Sequence, residues 1–162
     1  MRVILFLALL LTACTHAPPK VPQGTGLFPY GAYRHKVNIQ VLEPKDVRPM
    51  EMRGAVSVTA QEIRVVGLST FGTTIFRIEE NLKTGEIKKE YYLEIIKKNP
   101  QRFVEFYYLI RELLTAPKDA TSFERRGAHF TISAPDSQGI FRKVHVVNSQ
   151  VELNIEVTGY EL

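Results

Sequence analysis

Beyond residue 31, apolar residues recur mostly at every second position, the period of a β-strand with one buried face. The clearest case is Val151, Leu153, Ile155 and Val157, alternating with Glu152, Asn154 and Glu156. The same alternation runs through Val37, Ile39 and Val41, through Val56 and Val58, through Phe76 and Ile78, and through Phe130 and Ile132. It predicts roughly six to eight strands. Turn chemistry separates them: Thr59-Ala60-Gln61 ahead of Ile63 to Leu68, then Ser69 to Gly72, Asn81 to Gly85 and Pro135 to Gly139. Strands joined by turns this short pair antiparallel, because parallel pairing needs long crossovers.

One stretch breaks the period. Asn99 is a good N-cap, and Pro100 suits a first helical position, where a missing N–H costs nothing. Phe103, Phe106, Tyr107, Ile110 and Leu114 then recur at helical spacing, with Arg102, Glu105 and Glu112 off that stripe, until Pro117 blocks continuation. This spacing predicts one amphipathic helix of about four turns. Tyr91 to Lys98 fits a strand end and a short helix equally well. A sheet with one apolar face and one aromatic-rich helix packs as two layers. The expected fold is therefore α+β, mainly β: a curved antiparallel sheet, its concave face covered by one amphipathic helix, in a single domain over 32–162.

Composition changes the picture at the start of the chain. Arg2, the apolar run Val3 to Leu11 and the small pair Thr12-Ala13 match a secretory signal peptide over 1–13. The run is too short to cross a bilayer as a helix, which takes about 20 residues. Leu11-Thr12-Ala13-Cys14 resembles the bacterial lipoprotein box, in which the thiol receives a diacylglycerol and the new N-terminus is acylated. That resemblance implies a lipid anchor at Cys14, with palmitate-type chains and membrane lipid as the partner; two buried chains already give stable anchoring. Thr15, rather than an aspartate, implies the outer membrane, with the domain facing the periplasm. Pro18, Pro19, Pro22, Gly24, Gly26 and Pro29 make 14–31 an extended, flexible tether.

The chain carries a formal net charge of +4 and a single cysteine. Cys14 therefore has no intramolecular disulfide partner and builds no cysteine-rich zinc site. Lys83, Lys88, Lys89, Lys97, Lys98 and Arg102 are interleaved with Glu80, Glu86, Glu90 and Glu94, which dilutes any field a phosphate backbone would feel. No nucleic-acid partner is expected. Enzyme signatures are equally scarce. Gly67-Leu68-Ser69-Thr70-Phe71-Gly72 approaches a nucleophile elbow, but its second glycine comes one residue late. His16, His35, His129 and His145 are isolated, so no metal site is expected. Glu79 and Glu80, adjacent on a strand, face opposite sides and do not converge. There is no phosphate-binding loop and no dinucleotide fingerprint. The sequence reads as non-enzymatic, with no catalytic residue and no cofactor.

What remains is aromatic. Phe76, Tyr91, Tyr92, Phe103, Phe106, Tyr107, Tyr108, Phe130 and Phe141 are many for one side of a thin sheet. Two readings stay open: a filled core, or a hydrophobic cavity between sheet and helix lined by Phe76, Phe103, Phe106, Tyr107, Ile110 and Leu114 and dry enough for an acyl chain.

Two strings carry a family resemblance. Met52-Arg53-Gly54-Ala55-Val56-Ser57-Val58 resembles the R-G-A opening strand of the outer-membrane lipoprotein receptor LolB. Val66-Gly67-Leu68-Ser69-Thr70-Phe71-Gly72-Thr73-Thr74 is similar to its strand-to-turn segment, and a helix, Arg126-Gly127 and a closing strand pair follow in the same order. The likeness runs from Val37 to Val157 and is closest to small lipoproteins of the LolA/LolB-like (lipoprotein localisation factor-like) superfamily. It implies a half-open antiparallel barrel lidded by helices, an acyl chain or lipoprotein as cargo, and Phe71 as the apolar tip of a membrane-contact turn. Two departures stand out. A short loop from Val58 to Ile63 replaces an extra strand pair, and the receptor's tryptophans are missing. The expected function is a membrane-anchored, non-enzymatic acceptor of an acyl chain; the alternative is an accessory lipoprotein with no ligand, docking onto an envelope assembly.

Overall fold

The structure, a computed structural model, describes residues 27–42, 48–97, 100–117 and 119–162. Nine strands form one sheet: β1 (Gly31–Val41), β2 (Met50–Val58), β3 (Glu62–Leu68), β4 (Thr74–Asn81), β5 (Ile87–Tyr91), β6 (Ser122–Arg125), β7 (Ala128–Ile132), β8 (Lys143–Val147) and β9 (Val151–Glu161). Their spatial order is β5-β4-β3-β2-β1-β9-β8-β7-β6, and every neighbouring pair is antiparallel. Two meanders, β1 to β5 and β6 to β9, thus meet where β1 pairs with β9. The turns fall where their residues require: Asn81 Oδ1 accepts the N–H groups of Lys83 and Thr84, and Asp136 Oδ1 those of Gln138 and Ile140.

The alternation does what a period of two dictates. Tyr33 and Val37 of β1, Val56 and Val58 of β2, Phe76 and Ile78 of β4, Phe130 and Ile132 of β7, and Leu153, Ile155 and Val157 of β9 are all buried on one face. Between β5 and β6 the chain passes through the one-turn α1 (Glu94–Lys97) and the fourteen-residue α2 (Gln101–Leu114), which cross from one edge of the sheet to the other over that apolar face. Pro100 stands at the N-cap without a side-chain bond, its carbonyl accepting from the N–H groups of Phe103 and Val104. The predicted cap, Asn99, lies outside the described residues. α2 is buried more widely than its predicted stripe, because Val104, Leu109 and Leu113 are covered too. Leu27 and Phe28 before β1, and Ile140 and Phe141 in the β7–β8 loop, complete the core.

This corrects the expected fold. The sheet is open, neither closed nor curled into a half-open barrel, and so offers no concave face for a lid. Closure would require β5 to pair with β6, and neither edge is built for it. β6 has four residues, and β5 reads Ile-Lys-Lys-Glu-Tyr, with Lys89 exposed on the very face that is apolar elsewhere. Inward-pointing charge on a short edge strand resists further pairing. The Thr59–Gln61 connection, too short for another strand pair, leaves no material to bend the sheet round.

Candidate functional site: an exposed turn above a filled interior

The β3–β4 turn is ordered by its own polar groups. The Ser69 N–H donates to the Thr73 carbonyl at 2.8 Å, Gly72 N–H to the Ser69 carbonyl at 2.9 Å, and Thr73 N–H to Ser69 Oγ at 3.1 Å. Gly72 has φ +84°, a conformation other residues avoid. The Ser69 hydroxyl is thereby engaged in a turn, not poised as a nucleophile. At the apex Phe71 is 96% exposed. The register pairs Arg53 with Leu68, so Met50, which begins β2, extends past the end of β3 alongside this turn, and the Tyr92 N–H donates to the carbonyl of Ile75 beside it. Met50, Tyr92 and Leu93 are exposed as well, so one end of the sheet gathers four large apolar side chains. Of these four, the sequence singles out only Phe71 as a contact residue, and on the family resemblance.

Beneath, the residues expected to line a cavity do meet, but they fill it. The Phe76 ring lies 5.4 Å from that of Phe103 and 6.2 Å from that of Phe106. It also occupies the place a side chain at Gly67 would need, since a Cβ there would fall 2.2 Å from a Phe76 ring carbon. Phe76, Tyr107, Ile110 and Leu114 are buried, and the space left between sheet and helix, bordered by Phe106, Ile110 and Leu114, is about 20 Å³. That holds roughly one water. A wider depression, about 140 Å³, lies on the opposite face among Ala32, Arg34, Ala55, Ser57, Arg64 and Glu161, away from α2.

Two polar clamps hold α2, and sequence reasoning named neither. Glu80, buried on the inner face of β4, accepts from Arg111 Nε at 2.7 and 3.0 Å and from the Tyr107 hydroxyl. Burial and the Glu80 carboxylate push the Tyr107 hydroxyl far above the ordinary tyrosine range, while Glu80 raises Arg111. On the other side Glu112 accepts from Arg125 at 3.1 Å and Arg126 at 3.0 Å, and the Arg126 guanidinium lies 4.4 Å from the centre of the Tyr108 ring. Burial raises the Glu112 carboxyl, but the two guanidiniums more than offset that and hold it below the usual range. Glu79 points away from Glu80, to Arg64 at 2.7 Å and Arg77 at 3.3 Å, so the adjacent carboxylates do not converge.

Not every buried polar atom is satisfied: Tyr91 Oη has no hydrogen-bond partner among the described residues, and neither has a ring nitrogen of His35. His35 is buried on the inner face of β1, burial lowers its pKa to about 4, and the nitrogen without a partner is Nδ1. Among those residues no three His, Cys, Asp or Glu side chains gather to hold a metal. No described helix is long and apolar enough to cross a membrane. Cys14 lies outside the described residues, as does the tether up to Gly26.

No protein-family model matches the chain, and no curated protein matches it. With the open sheet, this overturns the assignment to the LolA/LolB-like superfamily. The picture of a LolB-type, palmitate-bearing lipoprotein of the outer membrane falls with that assignment; Cys14, outside the described residues, is not touched by it. The two matching strings are short, and they sit on a strand and a turn of a kind that any antiparallel meander uses.

Proposed function

We propose that this chain is a non-enzymatic docking protein of the cell envelope, tethered to membrane lipid through an acylated Cys14, which engages an envelope assembly through the β3–β4 turn and encloses no ligand. The observation that carries this reading is Phe71, 96% exposed on a hydrogen-bonded turn, above a sheet–helix crevice of about 20 Å³. A large apolar side chain held out in water by a rigid turn, with three more beside it, is what a contact surface requires. Glu51, paired with Lys36, Glu94, paired with Lys97, and Glu90 stand around these apolar residues, a mixed-charge rim suited to a protein surface and unlike the basic face that anionic lipid attracts. An acyl chain between sheet and helix would have to displace α2 from both Phe76 and Glu80.

A photo-crosslinking residue in place of Phe71, in the full chain within its own envelope, tests this. The expected product is one discrete protein adduct, competed away by the unlabelled chain and not by Phe71→Glu. Adducts to lipid alone, or a stoichiometric lipid in the native mass of the Cys14→Ser chain, would overturn it. The tether has its own test: Cys14→Ser should move the chain from the membrane fraction to the soluble one.

A further inference from the structure

The inner face contains polar atoms that apolar packing does not account for, and His35 Nδ1 is the one beside a thioether. His35 is 8% exposed, and its Nδ1 finds no donor or acceptor among the described residues. Leaving a buried polar atom unpaired costs about 1–3 kcal/mol, so such atoms call for a partner. Directly across from it in the register is Gly54, which puts no side chain there; a Cβ at that position would be in ordinary contact with the Val66 carbonyl at 3.7 Å and His35 Cβ at 3.8 Å. Gly54 borders the crevice of about 20 Å³, and so does Met52, 7% exposed, the next residue on the same face of β2. Met52 stands on the diagonal from His35, with Cβ atoms about 7 Å apart, a separation an imidazole and a thioether can bridge through one shared atom.

We propose that His35 Nδ1 and Met52 Sδ form a binding site for a single soft monovalent cation, Cu(I) or Ag(I). Thioether sulfur selects such ions, and imidazole joins it in their low-coordinate sites. The crevice is sized for one atom. Its other side chains, Phe28, Val37, Phe106 and Leu114 among them, carry no oxygen, far short of the about six that Mg²⁺ and Ca²⁺ need. The pairing escapes a reading of histidines and carboxylates alone, because half of it is a methionine. It is independent of the docking turn.

The test uses the full chain with Cys14→Ser, so that the thiol does not capture the probe, titrated with Ag(I) under native mass spectrometry and methionine-methyl NMR. One silver per chain is expected, with the Met52 methyl and the His35 ring shifting together and the melting temperature rising. Met52→Leu, which keeps the packing volume, should weaken binding at least about tenfold and remove that rise. Binding unchanged in Met52→Leu, a shift confined to Met50, or no silver at all would overturn the site. Should His35→Asn fail to fold, Met52→Leu and the methyl shifts still decide.

Discussion

Gly67 and Gly54 face each other on neighbouring strands, yet they tolerate a methyl group very differently. At Gly67 the added carbon falls 2.2 Å from a ring that is itself fully buried, so Gly67→Ala should cost about 1–3 kcal/mol by overpacking. At Gly54 the nearest atoms are at ordinary contact distance, and Gly54→Ala should change stability by less than about 1 kcal/mol. Urea midpoints at constant m value separate the two. His35 sets a pH dependence. Its pKa falls from 6.5 to about 4 on folding, so between those values the unfolded chain holds the extra proton. Its contribution is complete above pH 6.5 and is lost as pH falls to 4, by about 3 kcal/mol in all. Denaturation across that window should show the slope, and His35→Leu should flatten it; an unchanged slope would assign the effect to carboxylates. The alternation puts Glu80 after Phe76 and Ile78 on one face, yet Glu80 reads in the sequence as one of several interleaved charges and His35 as an isolated histidine, so the burial of neither is predicted. The surroundings of Glu80 were not legible either, because Tyr107 and Arg111 lie 27 and 31 residues further along the chain.

At the scale of elements, α2 is fastened by two residue pairs, each spaced by four. Tyr107 and Arg111 reach Glu80 in the β1–β5 half, and Tyr108 and Glu112 meet the β6–β7 hairpin in the other. The two clamps differ in dryness: the Glu80 side chain is 5% exposed, whereas Arg125 and Arg126 are 46% and 48% exposed. Breaking the dry one strands a buried charge, so Arg111→Met should cost about 3 kcal/mol. Arg126→Ala should cost about 1 kcal/mol or less, and 0.5 M salt, roughly, should erase most of that difference while leaving the Arg111 effect in place. Chemical denaturation at two ionic strengths reads both. The helix itself was legible because its apolar spacing is local. The four-residue β6 was not, being too short to display a period.

At the scale of the molecule, Phe71→Glu should leave stability within about 0.5 kcal/mol, because the side chain touches almost nothing, while abolishing the crosslinked adduct. A melting curve alongside the crosslinking separates a lost contact from a lost fold. Antiparallel pairing and the layer order followed from turn lengths and from one apolar face. Openness did not, because it depends on which strands end up at the edges, and that is settled by the long-range union of β1 with β9. Nor did the filled interior, since whether Phe76 occupies the notch left by Gly67 is a matter of volume, and volume has no period along a chain.

The union of β1 with β9 also governs how the molecule comes into being. A ribosome that has not yet delivered Val151 to Glu161 has made two half-sheets with no common neighbour, each presenting a raw seam at what will be the centre. The last strand synthesised is the keystone: it slots between the first and the penultimate, and until it arrives those seams invite trespass by other chains.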